Sequence, residues 1–199
     1  MLLDLLSKRY SCRNFTKTPI PDDVIQYMLE CGRLSASGNN EQPWKFGVIT
    51  DAYTIKRIAD AASVNFSQAW IETSPLLIIL CTQLFDSINE KIALNRFPSL
   101  KEKIKDMDYR LYSAVNMEEH QTKIPGEHMV LAALEHGVYS TWISSVDCEL
   151  VGKIIEAQSY IVTNVIAFGY PEYNGKLTIK KDLSSITFTN HFDNSGYRI

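Results

Sequence analysis

Residues 74–81 read Ser74-Pro75-Leu76-Leu77-Ile78-Ile79-Leu80-Cys81, and from Leu76 onward every side chain of this stretch is apolar. A half-exposed strand alternates polar and apolar residues, whereas this short stretch does not alternate. It therefore predicts a strand that is buried on both faces of its sheet.

The rest of the chain alternates loosely between helical and strand patterns. Helices are predicted where apolar side chains recur at helical spacing, at 2–6, 21–34, 52–62, 127–136 and 148–157. Strands are predicted at 44–50, 74–81, 140–144 and 160–169, with a weaker pattern at 186–189. Asp51 and Asp147 precede two of the helices as N-caps. Together these patterns predict an α+β or mixed α/β layered fold.

Length and composition limit the class of protein. The chain has 199 residues, 45% of them hydrophobic, and a formal net charge of −3. This suffices for one compact domain, and the mild acidity predicts no binding to nucleic acid or anionic membranes. No apolar stretch reaches about 18 residues, so no membrane span is expected. The N-terminus has no basic leader or cleavage site, so a cytoplasmic protein is expected.

Several familiar signatures are missing from the sequence. It contains no GxGxxG after a strand, no GxxxxGK[ST], no HExxH and no GxSxG. Its four histidines include no pair spaced i, i+4, and its four cysteines form no CxxC, so no metal site is expected and the thiols are predicted to be free.

Three polar clusters remain as candidates for binding. Arg9, Ser11 and Arg13 lie within five positions, and arginine offers a planar donor fork suited to phosphate. If the first helix continued, the two arginines would share one of its faces. The other two clusters are the loop 35–44, and Gly169-Tyr170-Pro171 with Lys180-Lys181. Taken singly, each cluster is also typical of an ordinary solvated surface or loop.

In this order, the clusters resemble the nitroreductase family of flavin-dependent oxidoreductases. The matching stretches are Arg9-Tyr10-Ser11-Cys12-Arg13-Asn14-Phe15, Pro19-Ile20-Pro21, Ala36-Ser37-Gly38-Asn39-Asn40-Glu41-Gln42-Pro43-Trp44, Leu131-Ala132-Ala133 with Gly137 and Trp142-Ile143, and Gly169-Tyr170-Pro171. The resemblance spans about residues 3–188. It implies one α+β domain over 1–199, with a three-layer fold in which helices surround a mixed, mainly antiparallel sheet.

The resemblance also implies a homodimer that binds FMN at its interface. Arg9, Ser11, Arg13 and Lys180 would surround the phosphate, and Gln68 would contact the ribityl chain. Ala36, Ser37 and Asn40 would reach the flavin from the partner subunit. The turn Ser144-Ser145 would direct a backbone amide at the reactive edge of the ring.

The chain departs from the family pattern at several of these positions. Ala36 replaces a proline, Lys180 replaces the commoner arginine, and Ser144-Ser145 replaces a glycine-rich or acid-glycine turn. Cys12 stands where an aliphatic residue is usual, and is read as a small buried hydrophobe. The segment 83–124 is a variable helical region that could cover the substrate face, where Tyr109 and Tyr112 could stack on an aromatic acceptor.

The implied activity is hydride transfer from NADH or NADPH through the flavin to an electron-poor acceptor such as a nitroaromatic or a quinone. Kinetics would be ping-pong, and no catalytic side chain is required because the flavin carries the redox chemistry. Alternatives are a flavin-binding or sequestering protein with little turnover, a specialised relative such as a dehalogenase, and a scaffold that has lost flavin.

Overall fold

The computed structural model describes residues 1–63, 67–83 and 117–191. The α-helices in this part of the chain are α1 (Leu2–Lys8), α2 (Asp22–Arg33), α3 (Ala52–Ala62), α4 (Met117–Glu135) and α5 (Cys148–Ile154). The strands are β1 (Trp44–Ile49), β2 (Leu76–Gln83), β3 (Tyr139–Ile143) and β4 (Tyr160–Gly169). Short 3-10 helices occur at Gly38–Asn40, Ala69–Thr73 and Leu183–Ser185.

The four strands form one sheet in the order β1-β2-β4-β3, and each neighbouring pair is antiparallel. The only parallel contact in the described chain is the isolated bridge between Ser11 and Ser140, which joins the segment after α1 to β3. Strand β4 has a bulge opposite Leu80 and Cys81, where the register with β2 shifts by one residue at Thr163.

Strand β2 lies at the centre of a three-layer arrangement, as the sequence predicts. Residues Leu76–Leu80 are all 0% exposed. Leu77 and Ile79 pack into a core with residues of α3 and α5, whereas Leu76, Ile78 and Leu80 pack into a core with residues of α2 and α4. The predicted α+β three-layer fold is therefore confirmed.

Most predicted boundaries agree with the structure, and the caps form as expected. Asp51 accepts a hydrogen bond from the backbone N–H of Thr54 at 2.8 Å, and Asp147 accepts one from Leu150 at 2.8 Å. The possible strand at 186–189 does not form as an element, although Phe188 takes part in an isolated β-bridge. A 3-10 helix ends at Ser185 instead, and Ile186 and Phe188 remain 62% and 52% exposed, so this apolar pattern is not buried within the chain.

Helix α4 begins at Met117, ten residues before the predicted start at 127, and it contains Pro125. Its first half lacks an apolar stripe, because it docks through small residues. Thr122 is 0% exposed and its Oγ1 lies 2.8 Å from Oγ1 of Thr163, and a Cβ added to Gly126 would lie 2.5 Å from the Trp142 ring. These small residues let α4 approach the sheet closely, and this packing explains why the helix begins earlier than its apolar pattern predicts. No described helix is both long and apolar enough to cross a membrane.

Two glycine substitutions should have opposite effects on stability. In Gly126→Ala the new Cβ would lie 2.6 Å from the buried Leu80 as well as against Trp142, so we expect a loss of about 1–3 kcal/mol from overpacking. In Gly152→Ala, within α5, the nearest atoms would lie 3.9 Å away, so higher helix propensity should add up to about 1 kcal/mol. Urea unfolding of both variants measures the difference, and changes of the same sign would contradict the close packing of α4.

Candidate functional site

The segment from Arg9 to Arg13 runs in an extended conformation along β3 at the edge of the sheet. Helix α1 ends at Lys8, and Arg9 has φ −69° and ψ 129°. Side chains of an extended chain alternate between two faces. Tyr10 and Cys12 are accordingly buried, whereas Ser11 and Arg13 are exposed and Arg9 is half-buried. The first helix does not continue through Arg9 and Arg13, so the two arginines share a face by the period of a strand and not by that of a helix.

Several contacts fix this segment against β3. The N–H of Cys12 donates to the carbonyl oxygen of Ser140 at 3.1 Å, and Oγ1 of Thr141 donates to the carbonyl oxygen of Cys12. The ring of Tyr10 lies 4.6 Å from that of Tyr139, measured between centroids. Cys12 is 3% exposed and burial raises the pKa of its thiol, which agrees with its reading as a buried hydrophobe. Ser11 and Arg13 are thus carried on a rigid backbone.

The cations of this region have no carboxylate partner in the described chain. Its ion pairs involve the N-terminal amine, Arg33 and Lys56. Arg9, Arg13 and Lys180 form none with described residues. Arg9 and Arg13, two unneutralised cations on one short segment, favour binding of an anion.

A small cavity of about 190 Å³ adjoins Ser11 and Arg13, and it is closed by Tyr173 and Gly175 from the C-terminal tail. A Cβ added to Gly175 would overlap the ring of Tyr10, so only glycine lets the tail pass at this distance. Lys180 lies five residues further on, where the tail is exposed. The structure thus brings the tail to the arginine segment but shows no contact of Lys180 with it.

The loop between α2 and β1 has a constrained backbone. Asn39, Asn40 and Gln42 have φ of 49°, 58° and 49°, which lie in the left-handed region that most residues avoid. Oγ of Ser37 accepts the N–H of Gln42 at 2.9 Å, and Oδ1 of Asn40 accepts Nε2 of Gln42 at 3.2 Å. The hydroxyl hydrogen of Ser37 and the Nδ2 hydrogens of Asn40 have no acceptor among the described residues. The loop therefore presents hydrogen-bond donors.

This loop does not join the arginine segment within one chain. No hydrogen bond or ion pair of the described residues links the two. Ala36 and Asn40 are exposed and Ser37 is half-buried, so all three lie at the surface. Their placement beside a flavin of the partner subunit stays a prediction.

The turn after β3 lies at the mouth of a larger cavity. Ser144 is exposed and Ser145 half-buried, and neither backbone N–H has an acceptor among the described residues. The cavity measures about 540 Å³. Its lining residues come from α4, β3, α5 and β4 and are Lys123, Glu127, Trp142, Ile143, Ser144, Val146, Cys148, Thr163 and Asn164. The amide of Ser144 at the edge of the cavity, with that of Ser145 next to it in the chain, suits a ligand with acceptor atoms.

Sequence reasoning missed Asn164, which lines the same cavity. Oδ1 of Asn164 is buried without a hydrogen-bond partner. The bulge at Thr163, where Oγ1 donates to the carbonyl oxygen of Leu80 at 3.1 Å, shifts the side-chain alternation just before Asn164. A bulge leaves no local signal in the apolar run 160–169, so only the fold could reveal this residue.

Gln68 is 9% exposed, and its Oε1 accepts a hydrogen bond from Nε1 of Trp70 at 2.6 Å. Its backbone N–H donates to Oγ of Ser63 at 3.0 Å. The amide oxygen of Gln68 therefore already accepts a hydrogen bond within the chain. A contact with the ribityl chain would have to come from Nε2 of Gln68. Tyr109 and Tyr112, and the region 84–116 that holds them, lie outside the described residues.

Two other predicted properties concern metal ions and thiols. Within 1–63, 67–83 and 117–191, no group of His, Cys, Asp or Glu side chains could hold a metal ion. All four cysteines are free, with Cys12 and Cys81 buried and Cys31 and Cys148 partly buried. Burial raises the pKa of Cys81 to about 11, so this thiol is unreactive at neutral pH.

Comparison with known proteins gives a consistent result. The model of the Nitroreductase family matches residues 6–170. An NADH dehydrogenase of Thermus thermophilus is 27% identical over 178 residues, covering 84% of this chain and 85% of that protein. The major NAD(P)H-flavin oxidoreductase of Aliivibrio fischeri is 26% identical over 199 residues, covering 86% of this chain and 90% of that protein.

The fold is also shared with solved structures. The NADPH:FMN oxidoreductase of Vibrio harveyi, complexed with NAD+, superposes with a TM-score of 0.74 at 17% identity. The match covers 96% of this chain and 78% of that chain. At this identity the likeness shows the fold alone.

Proposed function

Because the chain belongs to the nitroreductase family, we propose that it transfers hydride from NADH or NADPH to an electron-poor acceptor such as a nitroaromatic or a quinone. It is an NAD(P)H-dependent flavin oxidoreductase with FMN as its cofactor. The observation that carries the proposal is the rigid face of Arg9, Ser11 and Arg13, whose cations have no carboxylate partner among the described residues.

The residues present fit both ends of FMN. Its phosphate is an anion, for which Arg9, Arg13 and Lys180 offer charge and Ser11 a hydroxyl. Its ring carries carbonyl oxygens and ring nitrogens that accept hydrogen bonds, and the amides of Ser144-Ser145 are donors without partners in the described chain. When bound, FMN supplies the hydride-transfer chemistry.

The protein's own part is to bind and orient. We assign the amides of Ser144 and Ser145 to the reactive edge of the ring, and the cavity beside them to the nicotinamide and the acceptor in turn. At about 540 Å³, with the Trp142 ring as one wall, this cavity is large enough for an aromatic molecule. A single cavity shared by two substrates implies that one leaves before the other binds.

The same proposal makes the active form a homodimer, in which Ser37 and Asn40 complete the flavin site of the partner. Two observations support it: the loop lies at the surface, and the chain exposes large apolar side chains at both ends of the described region. Leu3 is 78% exposed, Leu177 56% and Ile179 100%. Such residues are suited to burial against a second copy.

An absorption spectrum tests the activity. After FMN is added and the excess is removed, the protein should retain a flavin spectrum that bleaches anaerobically with NADH or NADPH. Retained flavin that neither nucleotide bleaches would favour the sequestering protein, and loss of all flavin would contradict the proposed function.

Initial rates give the matching kinetic test. With donor and acceptor varied together, double-reciprocal lines should run parallel, because the two substrates use one cavity in succession. Intersecting lines would show that both are bound at once and would contradict a single shared cavity.

A further inference from the structure

Two hydrogen bonds tie the loop that holds Ser37 and Asn40 to helix α4. Oγ of Ser35 lies 2.7 Å from Nδ1 of His128, and the backbone N–H of Gly38 donates to Oε1 of Gln121 at 2.9 Å. Ser35 is only 6% exposed whereas His128 is exposed, so the first of these contacts lies at the edge of the protein interior. Gln121 is half-buried.

The spacing of the two attachment points matches the loop. Gln121 and His128 are seven residues apart, so they lie on one face of α4 and about 10.5 Å apart along its axis. The three residue steps from Ser35 to Gly38 span about 10 Å when extended, and Ser37 is extended with φ −136° and ψ 159°. The loop therefore runs along the helix, held at both ends of this stretch.

Gln121 holds the loop at the point where its backbone becomes strained. Gly38 begins the 3-10 turn Gly38–Asn40, and the left-handed residues Asn39 and Asn40 follow directly. Asparagine tolerates left-handed backbone better than other non-glycine residues, but two such residues in succession still cost free energy, which contacts with the surroundings offset. The helix itself is fixed on the sheet by Thr122 and Gly126.

We propose that Gln121 is a positioning residue, which holds the turn Gly38–Asn40 so that the donors of Ser37 and Asn40 are presented to FMN. This inference rests on the proposed function, because it gives Gln121 a role in cofactor affinity. Gln121 itself does not touch the cofactor and acts through the Gly38 amide.

Three variants test the role of Gln121. Gln121→Ala removes the acceptor and should raise the dissociation constant for FMN about three- to tenfold, the effect of one hydrogen bond. Gln121→Glu keeps an acceptor oxygen at the same place and should bind FMN within about twofold of the parent protein. Gln26→Ala, on the exposed face of α2, is the matched control and should change nothing. Fluorescence titration measures the affinity, and the melting temperature of the apoprotein should fall by no more than a few degrees in Gln121→Ala, as expected for one hydrogen bond, and stay unchanged in Gln26→Ala.

A double variant tests the route of the effect. Asn40→Ala should weaken FMN binding in the parent protein but have little further effect in Gln121→Ala, because both changes remove the same contact. Hydrogen exchange of the Gly38 amide in the apoprotein should be faster in Gln121→Ala than in the parent.

The outcomes separate the two proposals. If the parent protein binds FMN but Gln121→Ala binds it equally well, or if Gln121→Glu loses as much affinity as Gln121→Ala, the positioning role is wrong and the proposed function stands. If the parent protein retains no FMN, the proposed function fails and the positioning role with it, even where the exchange of Gly38 shows that the contact exists.

Discussion

The double substitution of Arg9 and Arg13 by alanine is expected to raise the dissociation constant for FMN about 10²- to 10⁴-fold. A hydrogen bond to a charged group contributes about 1.5–3 kcal/mol, and two such contacts to one phosphate add when they are independent. The backbone that carries them is held to β3 through Cys12, so the two side chains start from fixed positions. Arg9 alone should account for about 1.5–3 kcal/mol.

Riboflavin distinguishes loss of the phosphate contact from loss of the site. It has the ring and ribityl chain of FMN without the phosphate, so the double variant should bind riboflavin as the parent protein does. Arg57→Ala, which removes an exposed cation from α3, is the control for net charge and should leave FMN binding unchanged. Equal losses of riboflavin and FMN affinity would show that the segment supports the fold rather than the phosphate.

Much of the fold is predictable because its signals are local. The apolar run of β2 predicts burial on both faces, and the caps at Asp51 and Asp147 use only neighbouring backbone amides. The early start of α4 has no local signal in the sequence. It depends on contacts of Thr122 and Gly126 with strands that are distant in sequence, and the polar residues from 117 onward show no stripe that would predict them.

The residues of the candidate site likewise divide into those with a local signal in the sequence and those without one. The spacing of Arg9, Ser11 and Arg13 draws attention to these residues in the sequence, but the reason for their shared face is the strand-like backbone after Lys8. Asn164 and Gln121 could not be predicted, because one depends on a bulge and the other on a loop that lies 83 residues away in sequence. Tertiary contacts of this kind leave no pattern in the residues around them.

A heterodimer of two different variants should contain one FMN site that binds more tightly than the sites of either variant's own homodimer. One subunit carries Arg9→Ala and Arg13→Ala, and the other carries Ser37→Ala and Asn40→Ala. If the loop acts across the interface, one site of the heterodimer contains intact arginines from the second subunit and an intact loop from the first. Purified through two different tags, this heterodimer should bind one FMN per dimer.

The reciprocal arrangement gives the opposite expectation and so serves as the control. Here all four substitutions are placed on one subunit and the other is left unchanged. A loop acting across the interface leaves each site with one defective half, so this heterodimer should bind no FMN tightly. If instead the loop served its own subunit, the unchanged subunit would hold one FMN here and the first heterodimer would hold none. A loop that acts across the interface and a loop that serves its own subunit thus predict opposite numbers of bound FMN for the two heterodimers. Flavin absorbance per dimer therefore decides which subunit supplies Ser37 and Asn40.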